Sequence, residues 1–93
     1  MIKSIAHKGL RQFAMTGNPA KLPVQGAAQN RVGRLLRALD AAGVPEDMNL
    51  PGFYFHELGG GRKGTFSIRV TGNWRLTFRW DAGAIELDLE DYH

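Results

Sequence analysis

A chain of 93 residues can bury one modest core and leaves no room for a second, so residues 1–93 read as a single domain. Hydrophobic residues at 43% and charged residues at 23% exclude a disordered or fibrous class, and the absence of cysteine excludes a disulfide framework and a thiolate zinc site. Met1-Ile2-Lys3-Ser4-Ile5 lacks the apolar core of a signal peptide, and no apolar run approaches the ~20 residues that span a bilayer, so a cytoplasmic protein without membrane contact is expected.

The net charge of +3 is unevenly distributed. Lys3, Lys8, Arg11, Lys21, Arg31, Arg34 and Arg37 precede Asp40 with no acid among them, whereas Asp81, Glu86, Asp88, Glu90 and Asp91 follow Arg79 with no base among them. Such asymmetry fits a polyanion-binding surface built beside carboxylates, or two halves that pair with each other in the fold.

In chain order, residues 2–5 suit a short strand, and Leu10, Phe13 and Ala14 at helical spacing, stopped by Gly17, predict a first helix. Asn18-Pro19 and Pro23 mark a loop. Ala28, Val32, Leu35, Leu36 and Leu39 form one apolar stripe, which predicts a second helix ending at Gly43. Pro45, Glu46 and Asp47 open a short third helix that Pro51-Gly52 closes. From residue 53 the period becomes 2. Phe66, Ile68 and Val70, then Trp74, Leu76, Phe78 and Trp80, alternate with polar residues about a Thr71-Gly72-Asn73 turn; after Asp81-Ala82-Gly83, Ile85, Leu87 and Leu89 continue the pattern. The fold class is therefore α+β, with N-terminal helices packed on one face of a mostly antiparallel sheet.

If the apolar alternates face the helices, Arg69, Arg75, Arg79, Glu86, Asp88 and Glu90 share the open face, joined by Tyr54, His56 and Tyr92. Asp91 and His93 have the opposite parity, which fraying at a strand end can turn around the edge. The loop Gly59-Gly60-Gly61-Arg62-Lys63-Gly64 lacks the strand–loop–helix setting of a phosphate-binding P-loop and reads first as a flexible hairpin connection. His56 and His93 have no metal-ligand spacing, so no metal is expected. Arg75 and Arg79 opposite the acidic strand are candidates for cross-strand ion pairs, and the Arg31, Arg34, Arg37 stripe for a solvated helix face.

Together, Met1-Ile2-Lys3-Ser4, His7-Lys8-Gly9-Leu10, the Arg31–Asp40 helix, Ser67-Ile68-Arg69-Val70, Asn73-Trp74-Arg75, Phe78 and Asp91-Tyr92-His93 resemble the HigB branch of the RelE superfamily over nearly the whole chain. The resemblance implies the RelE-like fold and the toxin of a type II toxin–antitoxin pair. It further implies a ribosome-dependent messenger RNA endonuclease that needs neither metal nor other cofactor and is silenced by a HigA-like helix-turn-helix antitoxin. By similarity His56, Asp91 and His93 would transfer and orient protons and Arg75 would stabilise the phosphate, assisted by Arg62 or Lys63. Asn73 and Tyr92 would hold message bases, and Arg31, Arg34 and Arg37 would meet ribosomal RNA. Residue types of this kind suit metal-free cleavage, in which the ribose 2′-hydroxyl attacks and a base, a cation and an acid are required. One departure stands out: where relatives carry Leu-Lys-Gly this chain reads Leu58-Gly59-Gly60. Either Arg62 and Lys63 take over from the missing lysine, or the chain is a weak or inactive member that acts by binding its antitoxin or the ribosome.

Overall fold

The computed structural model describes residues 1–92. Among them, α1 (Lys8–Thr16) and α2 (Ala27–Ala41) precede four strands, β1 (His56–Glu57), β2 (Thr65–Arg69), β3 (Trp74–Trp80) and β4 (Ala84–Asp91), which form one antiparallel sheet in the order β1-β2-β3-β4. No helix among the described residues is long and apolar enough to cross a membrane.

The helices form where the apolar spacing places them. At the start of α1, His7 Nδ1 accepts the Leu10 amide, and at its end Gly17 takes the left-handed conformation, φ 77°, that lets its amide close on the Phe13 carbonyl. Close approach also fixes Gly9, where a Cβ would lie 2.0 Å from the Lys21 carbonyl oxygen. Helix α2 buries Val32, Leu35, Leu36 and Leu39 and stops at an extended Ala42, one residue before Gly43. The Gly43 and Val44 amides donate instead to the Asp47 carboxylate, which closes a 3-10 turn at Pro45–Met48 where a short helix was expected.

The stripe of α2 and Leu10 of α1 pack on Ile68, Leu76, Phe78, Leu87 and Leu89 from one face of the sheet. At 0% exposure for Leu10, Val32, Leu39, Ile68, Leu76 and Phe78, this layer is fully removed from water, and each such side chain contributes about 1.5–3 kcal/mol of burial. Phe55, Phe66 and Phe78 stack in succession at 5.6 and 5.5 Å, with Trp80 edge-on to Phe78.

Two departures from simple alternation shape the opposite face. The strand expected from residue 53 is limited to His56 and Glu57, because Tyr54 adopts a positive φ of 51°, strained for a bulky side chain. Along β4 a bulge intervenes: Thr77 pairs with Asp88 and Arg79 with Ile85, so that Glu86 and Leu87 together oppose Phe78. Glu86 takes φ 55°, and its amide is satisfied by Ser4 Oγ at 2.8 Å. Ile85, expected on the core face, therefore lies opposite Arg79 on the open face, and Ala84 is buried in its place. The N-terminal residues, expected as a short strand, make parallel bridges from Ile2 to Ala84 and from Ile5 to Leu87, extending the sheet beyond β4.

Candidate active site

Register assigns the open face row by row. Arg69, Arg75 and Glu90 stand opposite one another on β2, β3 and β4. Beside them His56, Ser67, Thr77 and Asp88 form a row across all four strands, followed by Thr65, Arg79 and Ile85.

His56 is exposed, and its Nδ1 lies 3.0 Å from the Tyr54 carbonyl. Since a carbonyl only accepts, Nδ1 carries the proton of the neutral ring, and the Nε2 lone pair is left for another partner. Across the strand, Ser67 is fully buried and its Oγ has no hydrogen-bond partner among the described residues.

The loop ahead of β2 joins β1 to β2 as a hairpin connection, held by the Leu58 amide on the Thr65 carbonyl and the Gly64 amide on the Glu57 carboxylate. Arg62 reaches from this loop across the sheet to a bidentate pair with Glu90 at 2.7 and 2.6 Å, and Thr77 donates to the same carboxylate. The guanidinium, and secondarily the Thr77 hydroxyl, hold the Glu90 carboxyl below the usual glutamate range, while the same hydrogen bond raises Arg62. Arg79 makes a looser pair with Glu86 at 3.5 Å, which fits the cross-strand reading. Lys63 is exposed at the end of the loop.

Arg75 behaves otherwise. Its Nη1 donates to the carbonyls of Thr71, Gly72 and Trp74 at 2.6, 3.2 and 3.3 Å, which stiffens the turn carrying Asn73, and its guanidinium lies 5.1 Å from the Tyr92 ring centroid. The Tyr92 amide donates to the Asn73 carbonyl at 2.7 Å, so Asn73, Arg75 and Tyr92 form one connected group. Asp91, paired with Trp74, begins on the helix-covered side and is exposed at the edge. His93 lies outside the described residues.

The α2 arginines belong to the other layer. Arg31 and Arg34 sit over the Phe53 ring at 4.9 and 5.7 Å, and Arg37 borders a cleft of about 420 Å³ between the N-terminal segment, α1 and α2. The structure thus gathers His56, Arg62, Asn73, Arg75 and Tyr92 on or beside one face and sets Arg31, Arg34 and Arg37 apart from it. Sequence reasoning placed Arg69 and Tyr54 on this face without giving them a role; they are the second arginine–tyrosine pair of the face, 5.1 Å from guanidinium to ring centroid. Among the described residues no cluster of three or more His, Cys, Asp or Glu has the arrangement of a metal site.

Residues 3–93 match the family model described as the RelE-like toxin of type II toxin–antitoxin system HigB. The chain is 39% identical over 94 aligned positions to Endoribonuclease HigB of Proteus vulgaris, with both chains covered in full. It is also 38% identical over 77 positions to Toxin HigB-1 of Vibrio cholerae serotype O1, covering 82% of this chain and 80% of that one. With a match of this extent, and with two helices on one face of an antiparallel sheet whose other face carries the arginines, the chain belongs to the HigB-like toxins, the RelE-like toxins of type II toxin–antitoxin systems.

Proposed function

We propose that the protein is an endoribonuclease that cuts messenger RNA on the ribosome and is silenced by a HigA-like helix-turn-helix antitoxin. The observation that carries this reading is the juxtaposition, on one open sheet face, of His56 with Nδ1 engaged and the opposed arginines Arg69 and Arg75. His56 Nε2 is placed to take the proton of a ribose 2′-hydroxyl as that oxygen attacks the adjacent phosphorus. Arg75, held by three carbonyls through one nitrogen, has its remaining donors for the phosphate oxygens as negative charge develops. Asp91 and His93 are assigned to proton delivery to the departing 5′-oxygen and to its orientation, and Asn73 and Tyr92 to the message bases. Lys63 supplies exposed positive charge at the groove rim. The arginines of α2, on the far layer, are assigned to ribosomal RNA phosphates.

Ribosome dependence follows from how little the isolated groove fixes. A shallow face with few acid–base groups does not align a flexible strand for in-line attack, and alignment is worth several powers of ten in rate. Primer extension on a message incubated with the purified protein, with and without translating ribosomes, tests the proposal. Cuts are expected only with ribosomes; equally strong cutting of naked RNA overturns the dependence, and no cutting in either condition overturns the activity. Co-expression with a HigA-like helix-turn-helix antitoxin is expected to restore growth.

Gly59 offers no side chain where the family resemblance implies a lysine, and Arg62 is engaged by Glu90, so of the two loop cations Lys63 is assigned to the phosphate.

A further inference from the structure

Tyr54 is 65% exposed and sits at φ 51°, a conformation that glycine or asparagine enters with less strain. Its neighbours dictate that backbone: the Phe53 carbonyl accepts the Arg69 amide at 2.7 Å, and the Tyr54 carbonyl accepts from His56. Neither bond uses the ring, and the ring adds nothing to the core. What it does meet is Arg69, whose guanidinium lies 5.1 Å from its centroid. Arg69 in turn stands directly opposite Arg75, and like charges at opposed positions repel. Each lies against a tyrosine, Arg69 on Tyr54 and Arg75 on Tyr92, so two arginine–tyrosine pairs flank one row, while Glu90, opposite Arg75 on β4, has its carboxylate held by Arg62 and Thr77.

We propose that this row is a two-ring clamp for single-stranded RNA, in which Tyr54 and Arg69 form a second base-stacking subsite on the side of the groove away from Tyr92. A phosphate between Arg69 and Arg75 relieves their repulsion, one base stacks at Tyr92, and a neighbouring base stacks at Tyr54. Stacking on an aromatic ring tolerates any base, and the arginine planes widen each platform. Because the Tyr54 carbonyl also orients His56, a base held at this ring lies next to the residue proposed to take the proton. The inference rests on the endoribonuclease reading for the Arg75–Tyr92 half; the Tyr54–Arg69 half is carried by the geometry above.

Fluorescence anisotropy with a fluorescein-labelled six-nucleotide oligoadenylate tests it, the strand carrying 2′-O-methyl groups so that no attacking hydroxyl is present. Tyr54→Gly keeps the backbone conformation and deletes the ring; it is expected to bind on the order of ten-fold more weakly, with the salt dependence unchanged. Tyr54→Phe is expected to return binding to within about two-fold. Arg69→Gln is expected to weaken binding and to lower the salt slope by roughly 0.7, the value for one phosphate contact on a single strand. Binding by Tyr54→Gly within two-fold of the unsubstituted protein overturns the subsite. So does equal binding of a duplex, whose base faces are hidden, or no measurable binding of the single strand. Ribosomal cleavage measured in parallel keeps the two readings apart. Wild-type cutting together with Tyr54-independent binding removes only the subsite, and Tyr54-dependent binding without wild-type cutting removes only the nuclease.

Discussion

Toward one end of the open sheet face Arg62 and Arg79 face Glu86, Asp88 and Glu90 around a groove of about 290 Å³; toward the other, Arg69 and Arg75, in the row that Glu90 completes on β4, face each other and lie against tyrosine rings. Both ends contain two arginines, yet they differ in what those arginines can offer a polyanion. Where a guanidinium is bound bidentately by a carboxylate, its charge is cancelled at short range and it serves to fix a loop. Where it lies on a ring, its charge remains available to a phosphate. The groove at the paired end, with three acids to two bases, is the better-formed concavity and the poorer site for RNA.

The largest expected effect tests the stacked end. Deleting Tyr92 and His93 removes the ring beneath Arg75 and the amide bond to Asn73, and growth inhibition is expected to be lost while circular dichroism still reports a folded domain. Retained toxicity at equal expression would place the chemistry elsewhere. Next, Arg75→Ala is expected to lower cleavage on the order of 10²-fold or more, the cost of a positioned donor to a developing anion. An effect confined to the melting temperature would mean that Arg75 serves the Thr71–Trp74 turn alone.

A smaller effect is expected in the loop that carries Arg62. Gly59 is extended, with φ −99° and nothing within 4 Å of a built Cβ, so a lysine enters without backbone strain. Gly59→Lys is expected to raise cleavage several-fold at unchanged stability, since ~1 kcal/mol of transition-state stabilisation is worth roughly five-fold. An unchanged rate, with Lys63→Ala then lowering it, would show that Lys63 already fills the role.

The smallest effect belongs to the paired end, where Glu90→Gln should act on stability and not on cutting. Arg62 is about half exposed, so solvent screens the pair and about 1 kcal/mol or less is at stake, which corresponds to a fall in Tm of at most a few degrees. Because Arg62 depresses the Glu90 carboxyl in the folded chain, that contribution is complete above the ordinary glutamate range and is lost as pH falls through the depressed value. Thermal melts between neutral and acid pH should therefore converge for Glu90→Gln and the unsubstituted protein at low pH. Curves that stay parallel would remove the pair from the stability account.

Elements set by local chemistry were legible beforehand. The α2 stripe, the Gly17 stop and the hairpin around Thr71–Asn73 each depend on spacing and on one or two turn residues, and they form as read. The open face was legible as a list of residues, because alternation fixes which side a strand residue takes. What alternation does not reveal is a bulge: Ile85, Leu87 and Leu89 look like one continuous apolar set, yet the extra residue at Glu86 turns Ile85 outward and lets the small Ala84 close the core. Nor does it reveal pairing between distant segments, since the division between tied and stacked arginines depends on Arg62 reaching Glu90, 28 positions away. The positive φ of Tyr54 is likewise imposed from outside, by Arg69 and His56, and no local propensity announces it.

The parallel bridges that join Ile2 to Ala84 and Ile5 to Leu87 also bear on when the molecule becomes a toxin. The Lys3 amide on the Ala84 carbonyl and the Ser4 hydroxyl under the Glu86 amide close loops spanning nearly the entire chain, the latter separated by 82 positions. Contacts of such sequence separation must overcome loop-closure entropy before they return any stability, which slows folding relative to a helical protein of equal size. During synthesis none of them can form until β4 has emerged, and the face that carries Arg75 and Tyr92 is unfinished until then. A nascent chain stalled before β4 therefore lacks the completed sheet face on which the proposed activity depends.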